Sequence, residues 1–194
     1  MANHVKSASE VSPVKSYAAL RPQLRSGDLF FCSGRYLVSR AIQKMTGSPW
    51  SHVGIIIRAP KIDRVLLLES VEDMGVRFAP LSKYLDDYEN ARPYRGEMVV
   101  ARVSALKQGD VPKVAEFGVD ELTRPYDKDE IAKIVARIAL GLGRSERDRE
   151  YICSELVFEC FAHAGMGFAY NPGGFISPED VWIDSQVQPL WRIG

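Results

Sequence analysis

Between Leu29 and Val103 the chain passes through a series of short apolar segments, each too brief for a helix and each cut by a polar turn. This alternation limits the fold more than any other feature. Leu29-Phe30-Phe31-Cys32 follows the turn residues Ser26-Gly27-Asp28 and reads as the first core strand. Val53 to Ile57 and Val65 to Leu68 flank a polar segment, Arg58 to Arg64, that contains Pro60 and Asp63, and they read as an antiparallel hairpin. Val76-Arg77-Phe78 after Gly75, and Met98 to Val103 after Gly96, supply two further strands. Between the first strand and the hairpin, Tyr36, Leu37, Val38, Ala41, Ile42 and Met45 recur at helical spacing until Gly47, which predicts a short amphipathic helix.

From Asp110 onward the period becomes helical. Val114, Phe117 and Leu122, then Ile131, Ile134, Val135, Ile138 and Ala139, follow that spacing with polar residues between. Tyr151 to Ala164 carries Cys153 near its start, places Leu156, Val157, Cys160 and Phe161 on an apolar face, and stops at Gly165, as a buried helix does. Ser177-Pro178-Glu179-Asp180 offers a hydroxyl N-cap, a proline at the first helical position and two acids in the first turn of a last short helix. Strands followed by helices in 194 residues indicate one α+β domain, a small mainly antiparallel sheet packed against helices of the C-terminal half. We assign it residues 25–194. Residues 1–24, rich in Ser, Val, Lys and Pro without a period, read as a flexible N-terminal arm that becomes ordered only near Tyr17 to Leu20.

Charge and cysteine usage narrow the partners. Lys and Arg number 25 and Asp and Glu number 25, so no global field attracts a polyanion and no nucleic-acid partner is expected. Arg144, Arg147 and Arg149 alternate with Glu146, Asp148 and Glu150, a solvated charged segment. No stretch is apolar and long enough to span a membrane, and Met1 to Leu24 lacks the apolar core of a secretory leader, which predicts a cytoplasmic protein. The cysteines, Cys32, Cys153 and Cys160, lack the paired spacing of a zinc or redox motif, so neither metal nor cofactor is expected. A single bridge between Cys153 and either of the others stays compatible with the spacing.

Three residues have the types and placement for nucleophilic catalysis. Cys153 lies at the first turn of an apolar helix, where free N–H groups and the macrodipole favour a thiolate. The alternative is a small buried hydrophobe, the role we give to Cys160 and Cys32. His52 sits where the turn Ser48-Pro49-Trp50-Ser51 enters a strand, so the sheet can hold its ring with one nitrogen facing a cleft. A satisfied core or surface histidine fits the same position. Glu69 ends the second hairpin strand. Directly opposite His52 it would share a face and orient the imidazole, whereas a one-residue slip would turn it away. The register is open at this level.

Gly27-Asp28-Leu29-Phe30-Phe31, Ser51-His52-Val53-Gly54, Leu68-Glu69-Ser70, Tyr126-Asp127 and Tyr151-Ile152-Cys153-Ser154-Glu155-Leu156-Val157 together resemble the motifs of a known group. These are the circularly permuted papain-like cysteine hydrolases of the YaeF/YiiX group, relatives of the NlpC-type peptidases and similar in fold to lecithin retinol acyltransferase. The resemblance implies a permuted papain-like fold with Cys153 as nucleophile, His52 as general base and Glu69 as the orienting residue. It implies attack on an amide of a small peptide or acyl-amide, possible cell-wall material included, through a thioester. Tyr126, Ser51 and Ser154 become candidates for substrate or oxyanion contacts, with packing the alternative for Tyr126. Asp28 reads as a turn residue and Glu155 as a complement to the helix N-terminus. Two other expectations compete: a lipid acyl hydrolase or acyltransferase using the same thiol, with Phe30, Leu37 and Trp50 along an acyl groove, or a binding module that has lost catalysis. The oligomeric state is left open.

Overall fold

A computed structural model describes residues 11–14, 16–126, 152–171 and 174–193. The helical pattern of residues 131–139, the charged segment 144–150, Asp127 and Tyr151 lie outside the described residues. In chain order the elements are β1 (Ser12–Val14), α1 (Tyr17–Leu20), β2 (Leu29–Gly34), α2 (Leu37–Thr46), β3 (His52–Ala59), β4 (Arg64–Val71), β5 (Gly75–Pro80), α3 (Leu81–Asp86), β6 (Gly96–Val103), α4 (Val111–Asp120), α5 (Cys153–His163), α6 (Pro178–Ile183) and β7 (Val187–Ile193). The strands form one seven-stranded sheet in the order β1-β7-β6-β2-β3-β4-β5, antiparallel throughout except for the parallel pair β1–β7.

The unbroken apolar run of β2 reflects a central strand buried on both faces. Leu29 and Phe31 point into a core shared with α4, α5 and α6, while Phe30 and Cys32 point into a second core with Tyr84, Tyr94 and Leu20. Asp28, at the entry to β2, is buried. Its carboxylate accepts the Arg25 N–H at 2.8 Å and a two-pronged contact from Arg102 at 2.7 and 2.8 Å, which ties the turn to β6.

Part of the expected arm belongs to the fold. Ser12–Val14 pairs with Trp191–Ile193 at the sheet edge, Ser16 caps α1 by accepting the Ala19 N–H, and Leu20 and Leu24 are buried in the second core. Burial of those two leucines supplies the ordering force that local composition does not reveal. The elements without a sequence signal are short or irregular. Strand β7 contains Pro189, which pairs with Ala101 where the β6–β7 register shifts, a place where a missing N–H is tolerated. Helix α3 has six residues, too few to establish a period.

The feature that positions the site is a fork in the sheet. Backbone pairing between β3 and β4 runs from Ala59–Arg64 to Ile55–Leu68 and stops, while β3 continues on β2 to His52–Cys32 and β4 continues on β5 to Val71–Gly75. Helix α5 lies across β3 and β4 on the first core face, with α4 packed against it. The contact between α4 and β4 is close at Gly118, where a Cβ would run into Leu68 Cδ2 and come within 3.1 Å of Cys160 Sγ. The Gly118→Leu variant is expected to lose about 1–3 kcal/mol from overpacking, measured as a lowered urea midpoint. An unchanged midpoint would show that α4 has room to withdraw.

Candidate active site

His52 is set by the turn before it. Helix α2 ends at Gly47 in the left-handed region (φ 64°), and Gln43 Nε2 donates to the carbonyls of Gly34 and Pro49 at 3.0 and 2.9 Å. Ser48 Oγ accepts the Trp50 N–H at 3.0 Å and donates to Glu179 at the start of α6. The Ser51 N–H donates to Cys32 O at 2.9 Å, and Ser51 Oγ accepts the Gly34 N–H at 3.0 Å. Trp50 packs against Phe31 and Trp182. The turn is thereby fastened to β2, α2 and α6 before the chain reaches His52.

His52 Nε2 lies 2.8 Å from Glu69 Oε2. Carrying the Ile55–Leu68 register past the fork sets Glu69 level with Gly54. This is a two-residue offset from direct opposition to His52, which keeps both side chains on one face. Glu69 is 0% exposed, so its charge requires donors inside the protein. They come from three elements. Besides His52, Arg77 stands directly across in β5 with Nε 2.9 Å and Nη2 2.8 Å from Oε1, and the Tyr84 hydroxyl of α3 donates to Oε2 at 2.6 Å. Burial alone would raise the Glu69 pKa, but its contacts with His52, Arg77 and Tyr84 outweigh it and hold the carboxyl below its ordinary value.

Cys153 is the first residue of α5 and 3% exposed. It stands close enough to His52 for its sulfur to favour the charged imidazole. Since Nε2 is engaged by Glu69, Nδ1 is the ring nitrogen left for the thiol. Burial opposes a charge on His52. The Cys153 sulfur and then Glu69 more than compensate, and the imidazole pKa rises to about 10. The structure thus brings Cys153, His52 and Glu69 into one connected set.

The other candidates are disposed differently. Ser154 is buried and donates to Ile176 O at 2.8 Å, and the Ser51 hydroxyl is held between Gly34 N–H and Cys32 O. Both brace the scaffold, because each neighbouring backbone group needs a partner once buried, while Ser51 also borders the cleft beside His52 and Ser154 the notch beside Cys153. Tyr126 packs with Ile152 and Phe175 beside Cys153. Glu155 accepts the Ile152 N–H at 3.3 Å at the start of α5. Phe30 and Trp50 are core residues. All three cysteines are free and buried. Burial, reinforced by Glu69 and Cys153, pushes the Cys32 thiol well up, and burial lifts Cys160 to about 12.

Arg77 and Tyr84 escaped the sequence reading. A signal existed for Arg77, because a tight turn after Val71 places it opposite Glu69. Tyr84 had none, since α3 itself was not legible.

Two spaces adjoin the site. A cleft of about 620 Å³ is lined by His52, several tyrosines and the charged residues Glu72, Arg77, Lys83 and Glu89. A notch of about 20 Å³ lies beside Cys153, between Ile42, Thr46, Tyr126 and Phe175. Among the described residues no three His, Cys, Asp or Glu side chains group closely enough to hold a metal ion, and no helix is long and apolar enough to cross a membrane.

Comparison with known proteins adds independent findings. Residues 23–171 match the family described as "Permuted papain-like amidase enzyme, YaeF/YiiX, C92 family". The chain is 28% identical to the uncharacterized protein YiiX of Escherichia coli (strain K12) over 155 residues, 79% of this chain and 65% of YiiX. It is 25% identical to the probable lipoprotein peptidase YaeF of the same strain over 198 residues, 92% of this chain and 69% of YaeF. The crystal structure of metalloprotein yiiX from Escherichia coli O157:H7 superposes with a TM-score of 0.64 at 24% identity, covering 87% of this chain and 97% of that one, and shows the shared fold.

The Glu69 contacts predict a pH-dependent stability. A carboxyl held below its usual pKa stabilises the fold above its unfolded value, and that contribution disappears as the pH falls through the folded value. Arg77, 26% exposed on its side chain, closes a buried pair whose rupture typically costs about 3 kcal/mol or more. Urea unfolding of Arg77→Met should show a loss of that size at pH 7 that shrinks in acid as Glu69 takes up its proton. An equal loss at every pH would reduce Arg77 to a packing role.

Proposed function

Because the chain belongs to the permuted papain-like amidase family of YaeF and YiiX, we propose that it is a cysteine hydrolase acting on an amide bond of a peptide or amino-acyl amide, with Cys153 as nucleophile, His52 as acid and base, and Glu69 as the positioning carboxylate. The observation that carries this reading is the grouping of Cys153 beside His52, whose ring meets the buried Glu69 carboxylate at 2.8 Å, with Arg77 and Tyr84 securing that carboxylate. The printed name of YaeF, a probable lipoprotein peptidase, supports a peptide as the substrate class, cell-wall-derived peptides included.

The chemistry follows from the placement. Proton transfer from Cys153 to His52 gives a thiolate beside an imidazolium, an ion pair that Glu69 favours from the other side of the ring. The thiolate attacks the amide carbon and the carbonyl oxygen takes up negative charge. First-turn N–H groups of α5, which helix geometry leaves without intrahelical partners, are suited to receive that charge. Collapse breaks the carbon–nitrogen bond as His52 gives its proton to the departing amine, leaving a thioester on Cys153. Water, deprotonated by His52, then releases the acid and regenerates the thiol. The small notch beside Cys153 favours an amide over the long acyl chain of a lipid, and three chemically competent residues in contact favour an enzyme over a binding module.

Cys153→Ala should abolish turnover and the acyl adduct seen by intact mass, and His52→Ala should lose roughly 10²–10⁴-fold. Persistent turnover in Cys153→Ala would end the proposal. The imidazolium of His52, held to about 10, contributes stability in full below its unfolded value of about 6.5 and loses it as the pH climbs through the folded value. The alkaline limb of kcat/KM is therefore expected near pH 10. In Glu69→Gln it should move toward the ordinary histidine range, and a limb that stays in place would remove Glu69 from the role given to it.

A further inference from the structure

The two spaces beside the site differ in which half of the reacting pair they touch. The cleft of about 620 Å³ is lined by His52 and not by Cys153, and the notch of about 20 Å³ is lined by Cys153 and not by His52. Ile42 and Tyr126 border both and form the wall between them. In thiol acyl transfer the departing nitrogen must reach the imidazolium, while the acyl group remains on sulfur. Resting on the function proposed above, this chemistry assigns the larger cleft to the amine half of the substrate and the notch to the acyl half.

The notch also limits what the acyl half is. A volume of about 20 Å³ holds about one water- or methyl-sized group. Three hydroxyls on its border are committed elsewhere: Thr46 donates to Ile42 O at 2.9 Å, Ser154 to Ile176 O at 2.8 Å and Ser177 to Asp180 Oδ2 at 2.6 Å. Carbon from Ile42, Ile152, Phe175 and Pro178 therefore faces the space. Ile176 and Pro178 are buried, and the reciprocal bonds of Ser177 with Asp180 fasten the start of α6. We infer that the notch receives the side chain of the residue whose carbonyl carbon Cys153 attacks, and that it restricts this residue to alanyl size. The cleft on the His52 side has the volume of a site for a peptide fragment, so size selection falls on the acyl half alone.

The test separates this inference from the function beneath it. The full chain is treated with N-acetyl-aminoacyl chloromethyl ketones bearing Gly, Ala, Val or Leu, and alkylation of Cys153 is followed by intact mass and peptide mapping. Each rate is divided by the same protein's rate with iodoacetamide, which has no side chain to place. The Ala reagent should outrun the Leu reagent by about tenfold or more, the usual penalty for excess methylenes in a small apolar pocket. Ile42→Ala should bring Val and Leu up toward Ala, and Thr46→Leu, which fills the notch, should let Gly overtake Ala. Equal normalised rates for Ala and Leu in the wild type would overturn the size limit and leave the cysteine hydrolase standing. Failure of iodoacetamide to modify Cys153 in the folded protein at neutral pH would overturn the hydrolase reading and the size limit with it.

Discussion

The rest of the site depends on one buried carboxylate. Glu69 lies at 0% exposure within a sheet, where an uncompensated charge would be far too costly to keep. Three donors from three elements meet it: His52 of β3, Arg77 of β5 and Tyr84 of α3. That requirement couples the local geometry, because the β4–β5 hairpin must bring Arg77 opposite Glu69 and α3 must return over the sheet face to present Tyr84. The same carboxylate that needs donors adds to the Cys153 sulfur in favouring the charged form of His52. Structural satisfaction and the proposed acid–base chemistry are one set of contacts seen from two ends.

The fork between β3 and β4 explains how residues from opposite layers meet. His52 and Glu69 share the face that carries the second core, while α5 packs on the first. In an unbroken sheet the backbone would separate them. Because the ladder ends at Ile55–Leu68, the start of α5 can bring Cys153 to the edge of β3, where His52 is still held by β2. The polar residues around this meeting point are occupied with holding it. Ser48, Ser51 and Ser154 bond to Glu179 or to backbone groups, so the side chains proposed to react sit on a braced support, the arrangement that limits reorganisation during a reaction.

The residues read from sequence as possible substrate contacts divide according to this support. Ser51 and Ser154 are bound into the fold, and Tyr126 stands at the wall between the spaces assigned to the two halves of a substrate. The contrast between a large cleft bordered by charged residues and a small apolar notch arises from those charges on one side and committed hydroxyls on the other.

By itself, the sequence determined the strands from β2 to β6 and the helices α2, α4, α5 and α6, and it singled out Cys153, His52 and Glu69 as candidates, because apolar period, turn residues and helix-start chemistry are local properties. Its motifs also carried the family resemblance, since they keep their order along the chain. Tertiary structure alone decided the rest. Strand β7 and helix α3 are defined by what they pair with or pack on, and the ordering of Leu20 and Leu24 comes from a distant core. The hairpin register, with Glu69 offset by two residues from direct opposition to His52, depends on where the sheet forks. The contact between Cys153 and His52 joins residues about 100 positions apart, and local propensity carries no information over that distance.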